Sequence, residues 1–583
     1  MGQILTALRP AKGALLVRVL KAYLVFAVAH MMAKTARFLL AQRKFKRATK
    51  HIPGGETDWT GKNLVANVNR FQEHSRDLVA PHIDSHLVKW EIPGFEIVFN
   101  SPEAVKFMLK DRFDVSTKPD PGEDELFVLL TRFIGASIFT LRHGEMNSEE
   151  HDRWYRQRKA AALIFTKSKF SNMMFDVFVR KAQSMIDVLT QVAKRNAAAG
   201  NPTDKNKGAE PVEMQEKFFA FTFDSIQQIF FGDDVDTVSG RDSDAAAVAF
   251  DGAHRAMTRY HLTTVPHISL LQCMPFPIGP LWYNMNWTSL GIRAFKAIHP
   301  LHQTFESHVE DLHRITREKI QRLRRDPKLA QRDDLIANFI NHDASFRKSK
   351  RSGPTAGNGP SAEAIGWTDD ELLAIVLNFI IAGRDTSACT LTWLFYELAI
   401  NPEIQANLQR ELDENLEGRT PTYEEVVHGL PYLNGCLFEA LRLHPPVPQD
   451  VKVASKDMEF IDGTLLPAGV RMLYLPYVMG RDENRYSDAL SFKPERWIPF
   501  TEPDPFAFPV FQAAYRSCLG RDMAKFEVKL LTAMLLQKLS FRLEANEDPN
   551  VICPSLAITM SLCNSPDQST HELWLVPQLR EDI

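Results

Sequence analysis

Helical periodicity predominates in this sequence, which agrees with a mainly α-helical fold class, and short strand patterns accompany it. Two long helical patterns support this prediction, a charged one at Phe305–Arg325 and an almost continuously apolar one at Glu371–Leu398. Short strand patterns lie on either side of them, at Glu96–Asn100, Gly463–Pro476 and Ser555–Pro577. Of the 583 residues, 44% are hydrophobic and 24% are charged, which is ordinary for a globular protein with a large core.

The first strand pattern leads directly into a helix. Ser101 supplies an N-cap and Pro102 the first helical position, so we expect this helix to run to about Lys110. A loop and a short helix are expected over Asp114–Gly135, and a Phe-rich core helix over Phe218–Gly232. The other expected elements are solvated loops at 197–211 and 347–362, a hairpin at Gly463–Pro476, and terminal strands around a turn at Ser555–Pro577.

Charge and cysteine content exclude some classes of function. The formal net charge of −3 gives no indication of a nucleic-acid partner. The cysteines form no C-x-x-C pair and have no close histidine companion, so we expect reduced thiols rather than a disulfide framework or a zinc site. The six cysteines are Cys273, Cys389, Cys436, Cys518, Cys553 and Cys563.

The first 50 residues differ from the rest in charge. They contain eleven Lys or Arg residues and no acid, and the first acid is Glu56. Gly13–Ala33 is mostly apolar, and the breaker cluster Ile52–Gly55 separates this segment from the rest of the chain. We interpret 1–50 as a membrane anchor with basic flanks and 51–583 as the catalytic domain. A mitochondrial presequence and a soluble core helix remain alternatives.

A single thiol stands in an unusual loop near the C-terminal end. Cys518 lies among small residues directly before a helical pattern, so its thiolate could ligate an iron porphyrin on an open face. Backbone N–H groups around it could donate to the sulfur. Arg516, two residues earlier, suits bidentate binding of a haem propionate.

The stretch Phe511–Gly520 resembles the haem loop of the cytochrome P450 family, Phe-x-x-Gly-x-Arg-x-Cys-x-Gly. Phe511, Arg516, Cys518 and Gly520 match, whereas Ala514 stands where the family usually has Gly. The resemblance implies that Cys518 is the metal ligand and that Arg516 and Gly520 belong to the binding site for haem b. The methyl group of Ala514 falls at a turn that normally tolerates positive φ.

Trp154 and Arg158 form a second candidate pair. They are four residues apart, so on a helix they share a face and could clamp a second propionate. By itself such a pair is more often surface stacking. The resembled family carries Trp-x-x-x-Arg on the helix beside its haem, which implies a cofactor-binding role for both residues.

The apolar helix Glu371–Leu398 is interrupted by a short polar stretch at Ala382–Ser387. Such an interruption indicates a local kink or bulge. The stretch matches the family motif Ala/Gly-Gly-x-Asp/Glu-Thr-Thr/Ser position by position. We therefore predict that Thr386 hydrogen-bonds to activated oxygen and that Asp385 connects it to a proton source.

Glu439 and Arg442 share a helix face, and Arg496 follows in a second motif, Pro-Glu-Arg-Trp. Taken alone, the first two would be a solvated surface pair. The resembled family joins such residues in a buried ion network behind the haem, which implies a structural role for all three.

Together the motifs and the resemblance imply one mainly α-helical domain with small β-sheets (α+β) around a buried haem. Such a domain activates dioxygen and inserts one oxygen atom into a C–H bond. No flavin or nicotinamide segment is evident, so electrons from NADPH are expected through a separate NADPH–cytochrome P450 reductase, with cytochrome b5 as a further partner. The basic terminus predicts the cytosolic face of the endoplasmic reticulum membrane, with a mitochondrial location as the alternative.

Three segments, Phe221–Ile226, Ala382–Ser387 and Phe511–Ala513, resemble the fatty-acid ω-hydroxylases of fungi and plants. This implies terminal hydroxylation of a medium- or long-chain fatty acid. The alternatives are oxidation of a sterol or another lipophilic metabolite, a rearranging haem enzyme, and a haem-thiolate sensor. Candidates to line an apolar channel are Phe139, Leu377, Ile381, Val447 and Ile558.

Overall fold

The structure is a computed structural model that carries all side chains of the residues it describes. The described ranges are 43–54, 70–89, 96–120, 124–143, 148–162, 173–198, 209–241, 244–272, 300–332, 334–341, 366–555, 558–565 and 568–580, with the single residues 29, 32, 33, 36, 40 and 165; side chains are described only to 260 in the range 244–272. Most of the predicted anchor, much of the predicted loop 197–211 and all of the predicted loop 347–362 lie outside these ranges.

Helices dominate the described chain, which confirms the predicted fold class. They are α1 Phe71–Val79, α2 Pro102–Lys106, α3 Glu125–Ile134, α4 Glu149–Ala162, α5 Phe175–Ala198, α6 Met214–Phe231, α7 Ala245–Gln272, α8 Pro300–Arg324, α9 Asp369–Ile380, α10 Thr386–Ile400, α11 Pro402–Leu416, α12 Pro431–Leu443, α13 Pro476–Met479 and α14 Arg521–Leu536.

Local sequence explains where several helices begin and end. The Ser101 side chain accepts a hydrogen bond from the backbone of Ala104 and caps α2, as predicted. Thr368 and Glu371 form a complete capping box at the start of α9. Gly232 ends α6 with φ 68°, a left-handed conformation that glycine adopts without steric cost.

The strands form small sheets. They are β1 Leu87–Lys89, β2 Glu96–Phe99, β3 Ser116–Thr117, β4 Val212–Glu213, β5 Asp450–Ala454, β6 Met458–Glu459, β7 Leu465–Leu466, β8 Arg471–Tyr474, β9 Leu539–Leu543, β10 Cys553–Pro554, β11 Leu562–Cys563 and β12 Trp574–Leu579. The largest sheet has the order β1-β2-β8-β5-β3, and a second has the order β4-β12-β9. β10 pairs with β11, and β6 pairs with β7.

The predicted hairpin at Gly463–Pro476 is wrong. β7 pairs with the preceding strand β6, so Gly463 lies in the turn between those two. β8 instead joins the large sheet, parallel to β2 and antiparallel to β5. The error arose because strand and turn residues alternate through this stretch, and a local pattern does not fix which strands pair.

The longest buried helical element is the central helix Asp369–Ile400, which joins α9 and α10 through a π-turn at Ile381–Asp385. The π-turn confirms the predicted interruption. This element is long and apolar enough to cross a membrane, but 83% of its most apolar window is buried inside the protein. It is therefore the core helix of the fold.

Aromatic side chains pack other helices against this element. The ring centroids of Phe218 on α6 and Phe395 on α10 are 5.0 Å apart, and those of Phe230 on α6 and Phe379 on α9 are also 5.0 Å apart. Phe526 on α14 packs near Phe178 on α5 with centroids 6.2 Å apart. These contacts fix α6 and α14 beside the π-turn, where the candidate site lies.

Candidate active site

The loop before α14 folds back on itself. The backbone N–H of Cys518 donates to the carbonyl of Phe511 at 2.8 Å. Gln512 and Ala514 have φ of 58° and 52°, so both adopt the left-handed conformation. Ala514 therefore occupies a position where glycine would be less strained, as the departure from the family pattern predicted.

The thiol of Cys518 is reachable by solvent although protein atoms surround it. Burial raises the pKa of this thiol, while the backbone N–H of Gly520 and the charge of Arg158 oppose the rise. The hydrogen bond from Gly520 agrees with the expected backbone donation to the sulfur. Among the described residues, a methyl group built on Gly520 would approach Phe165 alone, at 3.9 Å, so these residues leave room beside the sulfur.

Arg516 is buried among neutral acceptors. Its guanidinium donates to the carbonyl oxygens of Ile138 at 2.9 Å and Leu141 at 3.1 Å, and lies 3.0 Å from His143 Nδ1. It also lies over the Trp154 ring, 4.5 Å from the centroid. Burial lowers the pKa of Arg516 to about 9, so the side chain is still a cation at neutral pH.

Trp154 and Arg158 lie on α4, as the spacing predicted. Arg158 donates to the carbonyl of Ser517 at 2.6 Å, directly beside Cys518. Burial lowers the pKa of Arg158, and Cys518 opposes that effect. The indole Nε1 of Trp154 is buried and has no hydrogen-bond partner within the described part of the chain.

These side chains fit a haem with a thiolate ligand. Within the described ranges, no carboxylate lies in ion-pair distance of Arg158 or Arg516, and Arg516 Nε is a buried donor without a partner. Buried cations and an orphaned indole N–H are the groups that two propionates would satisfy. Cys518 would supply the thiolate.

A further cationic cluster was missed by sequence reasoning. Lys452 on β5 and Lys118 both pair with the buried Asp450, at 2.5 Å and 3.6 Å, and Gln512 also donates to that carboxylate. The charge of Arg516 lowers the pKa of both lysines, although burial is the larger cause. Two lysines therefore share one carboxylate close to Arg516, which itself has no carboxylate in ion-pair distance among the described residues.

The π-turn holds a buried charge network around Asp385. Arg384 Nη1 donates to Asp385 at 3.0 Å, and Arg384 Nη2 pairs with the part-exposed Asp251 at 2.6 Å. His254 Nδ1 lies 3.4 Å from Asp385 Oδ2. Burial raises the pKa of Asp385, because the charged form is desolvated. His254 and Asp251 on α7 are about 130 positions from Asp385, so no sequence motif linked them.

Thr386 occupies a part-exposed face of an otherwise buried helix. Its hydroxyl donates to the carbonyl of Ala382 at 2.5 Å. A methyl group built on Gly383 would lie 2.6 Å from Ile226 and 3.8 Å from Met523, so α6 and α14 both approach this turn. Met523 lies in the first turn of α14, directly after the loop that carries Cys518, so the π-turn and the thiol loop belong to the same site.

Glu527 is another group that sequence reasoning missed. It lies on α14, is fully buried, and neither carboxyl oxygen has a hydrogen-bond partner within the described residues. Burial raises the pKa of Glu527 to about 8, and the nearby hydroxyl of Ser387 opposes the rise without reaching hydrogen-bond geometry. This neutral acid therefore lies against the residue that follows Thr386.

The predicted ion network behind the loop is confirmed. Glu439 is fully buried and binds Arg442 twice, at 2.7 and 2.8 Å, and Arg496 once, at 2.8 Å. Trp497 Nε1 and the backbone N–H of Lys493 donate to the same carboxylate, each at 2.9 Å.

The candidate channel residues differ in exposure. Leu377 and Ile381 are buried in the core, Ile558 packs against that core, and Phe139 and Val447 are exposed. The channel itself stays a prediction.

A buried π-turn with an acid and an alcohol lies next to a thiol and two arginines that have no carboxylate partner among the described residues, an arrangement that fits a haem-thiolate protein. The cytochrome P450 family model matches residues 97–567, and the chain belongs to that family. Cytochrome P450 CYP94D108 of Paris polyphylla is 28% identical over 85% of this chain and 87% of its own. The cytochromes P450 86B1 and 94C1 of Arabidopsis thaliana are 28% and 27% identical, over 79% and 80% of this chain and 74% and 83% of their own.

Family membership confirms the predicted enzyme class. The protein is a haem-thiolate monooxygenase that uses O2 and a lipophilic substrate and takes its electrons from a reductase. These relatives agree with the sequence-based prediction that the chain is similar to the membrane-bound ω-hydroxylases.

Proposed function

We propose that the enzyme hydroxylates a medium- or long-chain fatty acid at or near its terminal methyl group. The observation that carries this proposal is the likeness of three separate segments to the fatty-acid ω-hydroxylases. Two of these segments touch, because Thr222 on α6 donates to the carbonyl of Arg384 at 3.0 Å and Ile226 packs against Gly383. These two segments, Phe221–Ile226 and Ala382–Ser387, therefore belong to one structural unit beside the site.

The cofactor of this proposal is haem b, and Cys518 would supply the thiolate that holds its iron. Arg516, Arg158 and Trp154 would hold the propionates through their charges and the free indole N–H. When bound, the haem supplies oxygen activation, which the thiolate ligand favours by donating electron density. Gly520 contributes by hydrogen-bonding the sulfur, which stabilises its anionic form.

Proton supply is assigned to Asp385 and Thr386. Because burial raises the pKa of Asp385, this carboxyl retains its proton at higher pH than an exposed aspartate. His254 is the neighbour that could return a proton to it, and Arg384 fixes its orientation. Thr386 now donates to Ala382, so it must rotate its hydroxyl to donate into the site.

A terminal C–H bond is stronger than its internal neighbours, so selectivity must come from positioning of the methyl end. Leu377 and Ile381 on α9 and the π-turn lie on the helix that carries Thr386 and are candidates for this task. Their buried apolar side chains suit an alkyl chain.

The electron donor is proposed to be NADPH through NADPH–cytochrome P450 reductase, with cytochrome b5 as a second donor. Residues 1–50 are proposed to anchor the enzyme on the cytosolic face of the endoplasmic reticulum, because they combine an apolar run with acid-free basic flanks. Membrane fractionation of the full chain and of a chain starting near Ile52 tests this. A full chain that stays in the supernatant, or enters mitochondria with residues 1–50 removed, would contradict the anchor.

The substrate is tested by difference spectroscopy and turnover with purified enzyme, reductase and O2. Saturated fatty acids from dodecanoic to octadecanoic acid should shift the haem spectrum and yield hydroxy acids at the terminal carbon. A sterol assayed in parallel provides the competing outcome. If no fatty acid in that range binds or reacts while the sterol does both, the alternative of sterol oxidation replaces this proposal.

A further inference from the structure

Two cysteines face each other across the small sheet near the C-terminus. Cys553 on β10 and Cys563 on β11 are direct partners in the antiparallel register. Directly opposed residues of such a pair project their side chains to the same face, with Cβ atoms about 4.5–5.5 Å apart. The Cys563 thiol is close enough to raise the pKa of Cys553 through a hydrogen bond between the sulfurs, with burial as the second cause.

This register suits a covalent bond. Cα atoms of opposed antiparallel residues are about 4.5–5.5 Å apart, and disulfides span Cα separations of about 4.4–6.8 Å. Formation of a bond between Cys553 and Cys563 therefore needs only rotation of the side chains. Neither cysteine lies in the haem loop or the ion network behind it.

The two thiols differ in access. Cys553 is part-exposed, and the side-chain amide of Gln568 donates to its sulfur at 3.4 Å, which partly opposes the rise in its pKa. Cys563 is buried, and its thiol donates to the carbonyl oxygens of Thr570 at 3.0 Å and Ser565 at 3.3 Å. Cys553 is therefore the thiol that an external reagent meets first, and Cys563 is the resolving thiol.

We propose that Cys553 and Cys563 form a reversible disulfide by exchange with a low-molecular-weight disulfide such as glutathione disulfide. The Cys553 thiolate attacks one sulfur of the reagent, giving a mixed disulfide and one thiolate that leaves and takes up a proton. The Cys563 thiolate then attacks Cys553, releasing the second small thiolate. Both cysteines are oxidised, the reagent is reduced to two thiols, and these carry the two protons that the protein loses.

The bond would close the base of a loop that touches the central helix. Trp393 Nε1 donates to the carbonyl of Met560 at 2.9 Å, and the Met560 N–H donates to the carbonyl of Pro446 at 2.8 Å. Burial and Asp385 raise the pKa of the Cys389 thiol, and a hydrogen bond with Thr559 opposes the rise. Oxidation would therefore restrain residues 558–561 where they meet the helix that carries the π-turn.

The experiment uses the full-length, haem-loaded enzyme. The protein is equilibrated in glutathione buffers of increasing oxidised fraction, quenched in acid, alkylated and digested with trypsin. Both cysteines fall in one tryptic peptide, 543–580, because no Lys or Arg lies between Arg542 and Arg580. In oxidising buffer we expect this peptide to carry no alkyl label and to be lighter than the unlabelled reduced peptide by two hydrogen atoms. After treatment with reduced glutathione it should carry both labels.

Variants separate this pair from the other thiols. Cys553→Ser and Cys563→Ser should each abolish the internal bond, whereas Cys436→Ser, a change at a buried thiol on α12, should leave it unchanged. Amide hydrogen exchange of residues 558–561 should slow at least about threefold in the oxidised protein. Two alkyl labels at every buffer ratio, or glutathione adducts without an internal bond, would overturn the proposal. An internal bond without slower exchange would overturn the restraint on the loop.

Discussion

Replacement of Glu439 by glutamine should lower the free energy of unfolding by more than the loss of any single surface ion pair would. The carboxylate accepts five hydrogen bonds, and both it and Arg442 are fully buried. Glutamine has one acceptor oxygen, so the two donors that now reach Oε2, from Arg442 and Trp497, would face an N–H2 group. Arg442 would also keep its charge in a buried site that offers only carbonyl acceptors.

Removal of one partner from a buried charge pair costs about 3–5 kcal/mol. We therefore expect Glu439→Gln to lower the free energy of unfolding by about that amount at neutral pH, measured by urea denaturation of the full chain with tryptophan fluorescence. Arg442 and Arg496 lower the pKa of Glu439 against the effect of burial. The stabilisation is thus present above the unfolded-state pKa and is lost as the pH falls through the folded-state value, so wild type and variant should converge in acid.

Asp311→Asn is the matched control, because Asp311 pairs with Arg314 on the exposed face of α8 at 2.9 Å. Such a pair is worth about 0–1 kcal/mol. If Glu439→Gln costs no more than this control, the buried network does not stabilise the fold in the way its geometry indicates.

Three further outcomes are expected. Cys518→Ser should abolish the long-wavelength Soret band that a thiolate ligand gives the carbon-monoxide complex, and a variant that retains it would remove Cys518 as the ligand. Thr386→Ala should bind haem and substrate normally but form product about 10²–10⁴-fold more slowly and release peroxide. The control Thr390→Ala, one turn away, should form product at the rate of the wild type. Equal product per NADPH in Thr386→Ala and the wild type would contradict the proton role. Because Glu527 has a pKa of about 8 against 4.5 for an ordinary glutamate, the native state holds an extra proton between these values and its stability falls as pH rises. Glu527→Gln should abolish this decline, measured as unfolding free energies near pH 5 and near pH 8, and an unchanged slope would show that the carboxyl is not held neutral.

Local sequence was sufficient where the chemistry lies in one short stretch. The thiol loop, the polar interruption of the central helix and the α4 pair are each encoded within ten residues, and the structure has each as expected. The partners of these groups were not predictable in the same way. His254 and Lys452 reach the site from α7 and β5, and nothing in their neighbouring residues indicates where the chain will bring them.

Strand pairing was the least predictable property for a related reason. The residues of β7 and β8 are suited to extended backbone, and the pattern identified both correctly as strand-forming. Which partner each strand takes depends on packing against distant elements, so β8 lies beside β2, more than 370 positions earlier in the chain.

The contact between Gly383 and Ile226 couples two positions that are far apart in the sequence. A methyl group at position 383 would meet the Cδ1 and Cγ1 atoms of Ile226, at 2.6 and 3.1 Å, so it fits only if the Ile226 side chain moves. Shortening of Ile226 opens that space and leaves a cavity against the core. A larger residue at 383 therefore costs less stability once position 226 has shrunk, and the two positions form an epistatic pair whose substitutions are not additive.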